Sequence, residues 1–417
     1  MNERLLQFIW QFQYFNRSGL FTTAAEPVQI ISSGKYNIHQ GPDFSEARIR
    51  IGPATWAGTV ELHVFASDWK KHGHHSDENY KNVILHVVWE DDTGDRAIPT
   101  LELKSRIPGL LLDRYATLLQ TGTFIACEKL IGRVKEITWC SWKDRLVAER
   151  LTRKAGEVLQ MLKDNQVHWE ETFWRLLARY FGASVNASAF EEMAQTLPVS
   201  LLSRHRSQIH QLEALLMGQA GLLQAESEDP YYILLQREYR FLRLKYKLEP
   251  ICQPVHFLRM RPRNFPTVRL AQLAALLQKS GPLFSTVRDL ESISELREWF
   301  NVTANDYWHY HYRFGEPSSY RKKNTGLRLL DRIIINCLAP VLFAYGDYYR
   351  DLKFRDRAMR WLETTGPERN SYTAGFEKLG VKNISALDSQ ALIELKRNYC
   401  EKKMCLECGI GNEVLKG

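Results

Sequence analysis

Residues 37–63 read "NIHQGPDFSEARIRIGPATWAGTVELH", and this stretch has the pattern of a β-hairpin. Two runs of alternating apolar and polar residues are separated by Gly52-Pro53, a dipeptide typical of a turn between strands. The acidic and imidazole side chains of the stretch collect at its two ends, at His39, Asp43, Glu61 and His63. Surface hairpins seldom gather metal-ligand chemistry in this way, so the question is whether these groups meet.

Strand geometry predicts that they do. With the turn near Pro53 and Ala54, Asp43 falls opposite His63 or Val64 in the partner strand. Side chains alternate between the faces of a sheet, so Glu61 and His63 point the same way. We therefore expect Asp43, Glu61 and His63 to converge at one end of one face. Two carboxylates and a nearby nitrogen can hold a hard divalent cation such as Mg²⁺ or Mn²⁺.

Length and composition indicate a globular protein. The chain has 417 residues, enough for about two or three domains. Its hydrophobic content of 44% and charged content of 25% are ordinary for such proteins. No apolar run reaches the ~18 residues of a membrane span, and the N-terminus lacks the pattern of a signal peptide, so we expect no membrane partner and a cytoplasmic location. Seven cysteines in a long chain favour thiols or a metal site over a disulfide framework.

Charge and histidine are unevenly distributed. Residues 1–110 hold 11 Lys+Arg and 13 Asp+Glu, a net of −2, whereas the whole chain carries +8. Six of the twelve histidines lie in residues 1–110. An acidic, His-rich segment is suited to a cation, and the basic remainder is suited to a polyanion, although moderately basic proteins without such a partner are equally common.

The pattern predicts an α+β domain followed by a largely all-α region. We place the α+β domain at residues 1–110, a basic helical domain at 111–394 and a cysteine-containing tail at 395–417. The predicted elements of the first domain are a helix over 3–16, strands near 27–33, 44–51 and 56–65, a short helix near 76–81 and a strand over 82–90. Helical periodicity then continues almost to the tail.

Two resemblances follow from these motifs. "GPDF" on one strand and "VELH" on the next resemble the PD-(D/E)XK nuclease superfamily, in which a sheet flanked by helices carries Pro-Asp and then Asp or Glu, any residue and Lys. The resemblance implies that Asp43 and Glu61 hold the metal, and His63 stands in the usual Lys position. The stretches "GPDFSEARI", "SDWKKHGHHSDENYKNVILHVV" and "RPRNFPTVRLAQLA" also resemble an uncharacterised bacterial family known as a domain of unknown function.

Other residues of the first domain offer alternative sites. In "TLELK", Glu102 and Lys104 form a literal Glu-x-Lys near Asp91 and Asp92. The hairpin is also surrounded by further potential ligands at His39, His72, His74, His75, Asp77 and His86. Imidazoles suit Zn²⁺, so a zinc hydrolase that uses His39, His63, His74 and Glu61 stays open. Alternatively, Asp77 and Tyr80 support the metal ligands without binding the metal. Each histidine, taken by itself, is more typical of a solvated or core position.

A basic stretch of the helical region, "FLRMRPRNFPTVRLAQLAALL", is a candidate nucleic-acid-binding segment. Its arginines are Arg259, Arg261, Arg263 and Arg269. Arginine makes bidentate contacts with phosphate, and Phe265 is placed to stack on a base. The alternative is a helix start at Pro266 with arginines that pair within the fold.

The tail contains "YCEKKMCLECGIG", in which Cys400, Cys405 and Cys408 lie within nine residues. Thiolates at such spacing suit Zn²⁺ or an iron–sulfur cluster. A fourth ligand is needed, and the candidates are Cys127, Cys140, Cys252 and Cys337. The alternative is a helix end with buried free thiols.

Taken together, the sequence predicts a metal-dependent nuclease, or a nuclease-like protein, that hydrolyses phosphodiester bonds. Asp43 and Glu61 would bind Mg²⁺ or Mn²⁺, with His39 and His74 as further ligands and His63 assisting catalysis. A non-catalytic nucleic-acid-binding or scaffold protein and the zinc hydrolase are the alternatives. The oligomeric state stays open.

Overall fold

The computed structural model describes residues 1–37, 40–95, 97–119, 122–258 and 260–416. The chain divides into two compact units, residues 1–142 with 396–417 and residues 143–395. Residues 111–142 and the tail belong to the first unit. The sequence pattern instead predicts that residues 111–142 are part of the helical domain and that the tail is a separate segment. Both join the first unit because the tail packs on residues 111–142: the Lys135 N–H donates to Glu413 at 3.0 Å, and Arg114 donates to the Leu415 carbonyl at 3.3 Å.

The first unit is built on a seven-stranded mixed sheet, as the α+β prediction requires. The strands run in the order β1-β2-β4-β5-β6-β7, and β3 pairs with β4. Neighbours are antiparallel from β1 to β5, and β5-β6 and β6-β7 are parallel. The bounds are β1 Leu20–Phe21, β2 Pro27–Ser32, β3 Lys35–Tyr36, β4 Phe44–Ile51, β5 Ala54–Phe65, β6 Val83–Glu90 and β7 Thr100–Glu102.

Helix α1 (Glu3–Phe12) packs against β5 with an apolar stripe. It begins at Asn2, whose side chain accepts the Leu5 N–H at 2.9 Å. It ends earlier than the predicted residue 16, because Gln13 adopts the left-handed conformation that closes a helix. Its buried residues are Leu5, Leu6, Phe8, Ile9 and Trp10.

The register of the β4–β5 hairpin differs from the predicted one. The turn is tighter, since Ile51 pairs directly with Ala54, and a bulge at Glu46 (φ +57°) shifts the pairing by one more residue. Phe44 therefore lies opposite Val60. As a result, Asp43 lies level with Glu61 and not with His63.

The connection from β5 to β6 crosses over in only 17 residues, 66–82. The sequence pattern predicts one helix near 76–81. The structure instead has a single helical turn, α2 (Asp68–Lys71), and two 3₁₀ turns, His74–Ser76 and Glu78–Tyr80. Gly73 joins them with φ +76°, a conformation that glycine adopts without strain. This crossover brings its histidines over the end of β5.

The rest of the chain is largely helical, as predicted. The helices are α3 Gly109–Leu119, α4 Glu136–Asp164, α5 Trp169–Phe181, α6 Ala187–Thr196, α7 Val199–Arg204, α8 Ile209–Gln219, α9 Pro230–Tyr246, α10 Pro266–Lys279, α11 Leu283–Asp289, α12 Ile293–Phe300, α13 Asp306–Tyr310, α14 Leu327–Ile333, α15 Ala339–Tyr349, α16 Leu352–Thr364, α17 Ser371–Lys378, α18 Ala386–Glu394 and α19 Gly409–Lys416. Strands β8 (His311–Arg313) and β9 (Glu316–Pro317) form a small hairpin, and π-helical turns span Ile334–Leu338 and Leu395–Cys400. Among the described residues, no helix combines the length and the apolarity that a membrane span needs.

Candidate metal centre

Two carboxylates meet where β4 and β5 begin to pair. The Asp43 N–H donates to Glu61 Oε2 at 3.0 Å, and the Leu62 N–H donates to Asp43 Oδ2 at 3.0 Å. Gln7 of α1 donates its side-chain amide to Asp43 Oδ1 at 2.7 Å. Glu61 is only 5% exposed. The two side chains that the sequence pattern singled out are thus held together by the backbone of the hairpin itself.

Three imidazoles lie beside this pair. The ligand atoms of His63, His72 and His74 all lie within 4.8 Å of one another, the arrangement of a candidate metal site. His63 Nε2 and His74 Nε2 stand 3.6 and 3.5 Å from Glu61 Oε1. His63 is buried, His74 is half-buried and His72 is exposed, so the cluster runs from the interior of the unit to solvent.

His63 is oriented by a second buried histidine. Its Nδ1 lies 2.9 Å from His86 Nε2, one strand away on β6. This contact leaves His63 Nε2 facing the cluster, buried and without a hydrogen-bond partner among the described residues. An orphaned buried nitrogen is costly unless something binds it, and a metal ligand held through its other ring nitrogen is the usual arrangement. The donor set therefore fits a divalent cation.

The raised pKa values of the two carboxyl groups also favour a bound cation. Burial raises the pKa of Asp43 to about 7. Burial, followed by the charge of Asp43, raises the pKa of Glu61 to about 8. Two adjacent carboxylates in a poorly solvated place cannot both ionise cheaply without a cation.

The histidines have the opposite shift. Burial, with the neighbouring imidazoles, lowers the pKa of His63 to about 3, and burial lowers the pKa of His86 to about 4. The pKa of His74 is lowered as well, mainly by burial. These side chains are neutral near pH 7, which is the protonation state that metal ligation needs.

Polar groups of the surrounding elements complete the site. Burial raises the pKa of Glu3 on α1, and the charge of Glu3 in turn raises the pKa values of Asp43 and Glu61. The ring of Tyr80 stacks on His74 with 3.8 Å between centroids. Asp77, expected as a supporting residue, caps the 3₁₀ turn of Tyr80 by accepting the Asn79 N–H.

Of the predicted ligands, the structure brings together Asp43, Glu61, His63 and His74, and His39 lies outside the described residues. The sequence pattern places His72 near the hairpin but does not single it out as a ligand. The signal that would have found it is the His-Gly-His spacing, because a left-handed glycine between two histidines lets both rings face one point.

The alternative pair, Glu102 and Lys104, is engaged elsewhere. Glu102 accepts the Asp91 N–H at 3.0 Å, and Lys104 forms an ion pair with Glu90 at 2.7 Å. Both contacts are those of a sheet edge, and the described residues show no gathered set of ligands there.

Comparison with known proteins gives one family. A family described as "Protein of unknown function (DUF2851)" matches residues 3–371. The chain belongs to this family. No curated protein and no solved structure matches it. Every ligand of the candidate metal centre lies within the part of the chain that matches DUF2851, and no comparison supports the resemblance to PD-(D/E)XK nucleases.

In this DUF2851 chain the basic segment is only partly available to a ligand. Arg261 and Arg263 are exposed at the 3₁₀ turn Pro262–Asn264, and Arg259 lies outside the described residues. Arg269 is buried, and its terminal nitrogens donate to Gln272 and Asn264 at 2.9 and 2.6 Å. It therefore supports the start of α10, and we leave it out of any nucleic-acid interface.

Phe265, considered as a base-stacking residue, is half-buried. Its ring lies 5.3 Å from that of Phe257 and 5.1 Å from the Arg313 guanidinium. Both partners cover the ring from within the same unit. The Phe265 ring is therefore packed within its own unit and is not presented for stacking on a base.

Proposed function

We propose that this protein is a metal-dependent hydrolase that cleaves phosphodiester bonds. The observation that carries the proposal is the meeting of Asp43 and Glu61 with the three-imidazole cluster at the buried end of one hairpin. Metal-assisted hydrolysis of a phosphodiester is one reaction that a mixed carboxylate and imidazole site of this kind can support.

The strand arrangement supports the nuclease form of this proposal. A helix, three antiparallel strands and a fourth strand parallel to the third follow one another as α1, β2, β4, β5 and β6. The PD-(D/E)XK resemblance implies the order helix, three strands, helix, strand, and α2 with two 3₁₀ turns stands in the place of the second helix. Asp43 directly precedes β4, and Glu61 lies within β5.

The proposal differs from the resemblance at His63. A Lys at this position contributes a positive charge, whereas His63 is neutral near pH 7 because burial lowers its pKa to about 3. We therefore assign His63 to ligation, together with His72 and His74. Nitrogen donors suit Mn²⁺ or Zn²⁺ better than Mg²⁺, so the expected cation shifts from the Mg²⁺ or Mn²⁺ of the sequence pattern towards Mn²⁺ or Zn²⁺.

Each group of the chain then has a defined task. Asp43 and Glu61 bind the cation and neutralise its charge, and the hairpin N–H groups fix their oxygens. Tyr80, whose pKa is raised to about 12 mainly by burial, stays protonated and can donate a hydrogen bond to an anionic substrate beside His74. The cation, when bound, polarises the phosphate and activates water.

A second candidate is a zinc hydrolase that acts on a substrate other than nucleic acid. The three clustered imidazoles favour it, since three histidines are a common catalytic zinc set. It shares every ligand with the first candidate and differs in substrate alone. The same purified protein therefore tests both.

The test uses the full chain, stripped with a chelator and reloaded with Mg²⁺, Mn²⁺ or Zn²⁺. Cleavage is measured on single- and double-stranded DNA and RNA and on a small phosphodiester ester. We expect Asp43→Asn and Glu61→Gln to reduce cleavage by at least about 100-fold, since even outer-shell changes cost metal sites 10–100-fold. Both variants should keep or raise the melting temperature of the metal-free protein, because each relieves carboxylate repulsion.

Glu102→Gln is the matched control, because it removes a carboxylate of the same unit at the alternative Glu-x-Lys. It should cleave at the wild-type rate. Wild-type protein that binds cations by calorimetry but cleaves no phosphodiester would exclude the first candidate, and cleavage of an ester or amide substrate would then favour the second. Retained cleavage in both carboxylate variants would exclude this site altogether.

A further inference from the structure

Four of the seven cysteines line one small cavity in the first unit. They are Cys127, Cys400, Cys405 and Cys408, accompanied by Tyr399, Met404 and Gly411. Cys127, Cys405 and Cys408 are buried, and Cys400 is half-buried. The structure thus selects Cys127, far away in sequence, from the four candidate partners of the tail cysteines.

The turn that presents the tail cysteines is closely built. The Lys403 N–H donates to the Cys400 carbonyl at 3.2 Å, and the Met404 N–H donates to the Tyr399 carbonyl at 2.9 Å. A Cβ atom at Gly411 would overlap the Cys405 carbonyl, so only glycine lets α19 approach the turn this closely. The fold therefore holds three cysteines in a fixed arrangement facing Cys127.

Backbone donors are directed at one of the sulfur atoms. Burial raises the pKa of Cys408 to about 11, and the N–H groups of Gly411 and Ile410, which hydrogen-bond to the thiol, act in the opposite direction. Burial, followed by the charges of other cysteines of the group, also raises the pKa values of Cys127 and Cys400. N–H donors stabilise a thiolate, the form in which cysteine binds metals.

We propose that Cys127, Cys400, Cys405 and Cys408 bind a metal centre through four thiolates. Four sulfur ligands are the set that structural zinc ions and iron–sulfur clusters use. Each thiol would lose its proton when the metal binds. The positive charge of the metal would then balance the negative charges of the four buried thiolates. This centre is independent of the proposed hydrolase site, with which it shares no ligand.

Two observations bear on which of the two thiolate centres forms. Among the described residues, only His63, His72 and His74 bring three ligand atoms within 4.8 Å of one another, so no three of the four sulfur atoms lie that close together. Zn–S bonds of ~2.3 Å require neighbouring sulfur atoms ~3.8 Å apart. The sulfur atoms are therefore more widely spread than around a bound zinc ion. A wide spread suits a cluster of several irons. The cavity, by contrast, measures about 20 Å³, which is space for a single ion. The experiment therefore has an arm for each.

The test begins with the full chain purified without oxygen. Zinc, iron and acid-labile sulfide are measured, and the visible absorption is recorded. In the second arm, chelator-stripped protein is titrated with Co²⁺ and the sulfur-to-cobalt charge-transfer absorption is measured. We expect bound zinc, or iron with sulfide, and a charge-transfer band whose intensity corresponds to four thiolates.

The variants Cys127→Ser and Cys408→Ser should lose more than half of this band, and Cys140→Ser, which changes an exposed cysteine of the same unit, should retain it. A His72→Ala, His74→Ala variant removes the other candidate site and should leave the band unchanged. The proposal is overturned if wild-type protein shows neither iron–sulfide absorption nor a sulfur-to-cobalt band, an outcome that needs no variant to fold. It is overturned equally if Cys127→Ser keeps the full band.

Discussion

At the scale of single residues, the second unit contains a carboxyl group with no access to solvent. Glu213 of α8 is 0% exposed. Its Oε2 accepts hydrogen bonds from the Tyr231 hydroxyl at 2.8 Å and the Trp308 indole at 3.0 Å, while Oε1 has no hydrogen-bond partner in the part of the chain that the structure describes. Burial raises the pKa of Glu213 to about 7, above the 4.5 of an ordinary Glu. The neutral form is therefore the one that this pocket accommodates.

The stability of the second unit should consequently depend on pH through Glu213. Because the folded pKa is raised, the group opposes folding increasingly as pH rises from about 4.5 to about 7, and the effect is constant above that window. We predict that Glu213→Gln removes this dependence. The unfolding free energy of the variant minus that of wild type should rise by about 2 kcal/mol when the pH is raised from 5 to 8.

Urea titrations at pH 5, 6, 7 and 8 measure this difference. Glu226→Gln is the control, because Glu226 is an exposed residue of the same unit. Parallel pH profiles for wild type and Glu213→Gln would show that the buried carboxyl is not raised in pKa.

At the scale of elements, strand β5 organises the first unit. It pairs antiparallel with β4 and parallel with β6, and its residues from Val60 to His63 are buried. Gly58 marks the point where the crossover returns: a Cβ atom there would lie 2.6 Å from the Asn82 carbonyl oxygen and would overlap Ile84. The Thr59 N–H donates to the same carbonyl at 3.0 Å. Because Gly58 has no side chain, Asn82 and Ile84 can approach β5, and this contact fixes where β6 begins.

We predict that Gly58→Ala destabilises the first unit by about 1–3 kcal/mol, the usual cost of forcing atoms into a packed contact. The cost should appear as a lower melting temperature and as faster hydrogen exchange in β6. Gly132→Ala is the control, since a Cβ there meets nothing within 4 Å. Equal melting temperatures for the two variants would mean that the β5–β6 contact is looser than described.

At the scale of the whole molecule, most of the net positive charge lies in the second unit. Residues 143–395 contain 36 Lys+Arg and 29 Asp+Glu, a net of +7 out of the chain's +8. Arg261 and Arg263 are exposed in this unit. We propose that they contact the phosphates of a nucleic acid, which the proposed phosphodiesterase would take as substrate.

The proposal predicts a salt-dependent interaction. Each neutralised phosphate releases condensed counterion, so Arg261→Ala with Arg263→Ala should weaken binding to all sequences alike and make the slope of log affinity against log salt shallower by about one to two units. The control is Arg204→Ala with Arg240→Ala, which removes the same charge from other exposed positions of the unit and should keep the slope. Wild-type protein with no salt-dependent affinity for DNA or RNA would end the nucleic-acid assignment.

Much of the sheet could be predicted from the sequence. The alternation in β4 buries Phe44, Ala47, Ile49 and Ile51, and it is local, so a single sequence reveals it. The convergence of Asp43 with Glu61 also follows from alternation and a short turn. The register did not follow, because the bulge at Glu46 breaks the period of two between Phe44 and Ala47, and alternation alone does not show how the partner strand pairs there.

The sequence by itself determined the fold class, the strands around the hairpin and the carboxylate pair, since period-two alternation and turn residues act over a few positions. Tertiary structure alone decided the rest. It folded a 17-residue crossover so that His72 and His74 face His63, and it placed Cys127 against a tail more than 270 residues away. Each of these depends on contacts between segments distant in the chain, whose free energy no local pattern encodes.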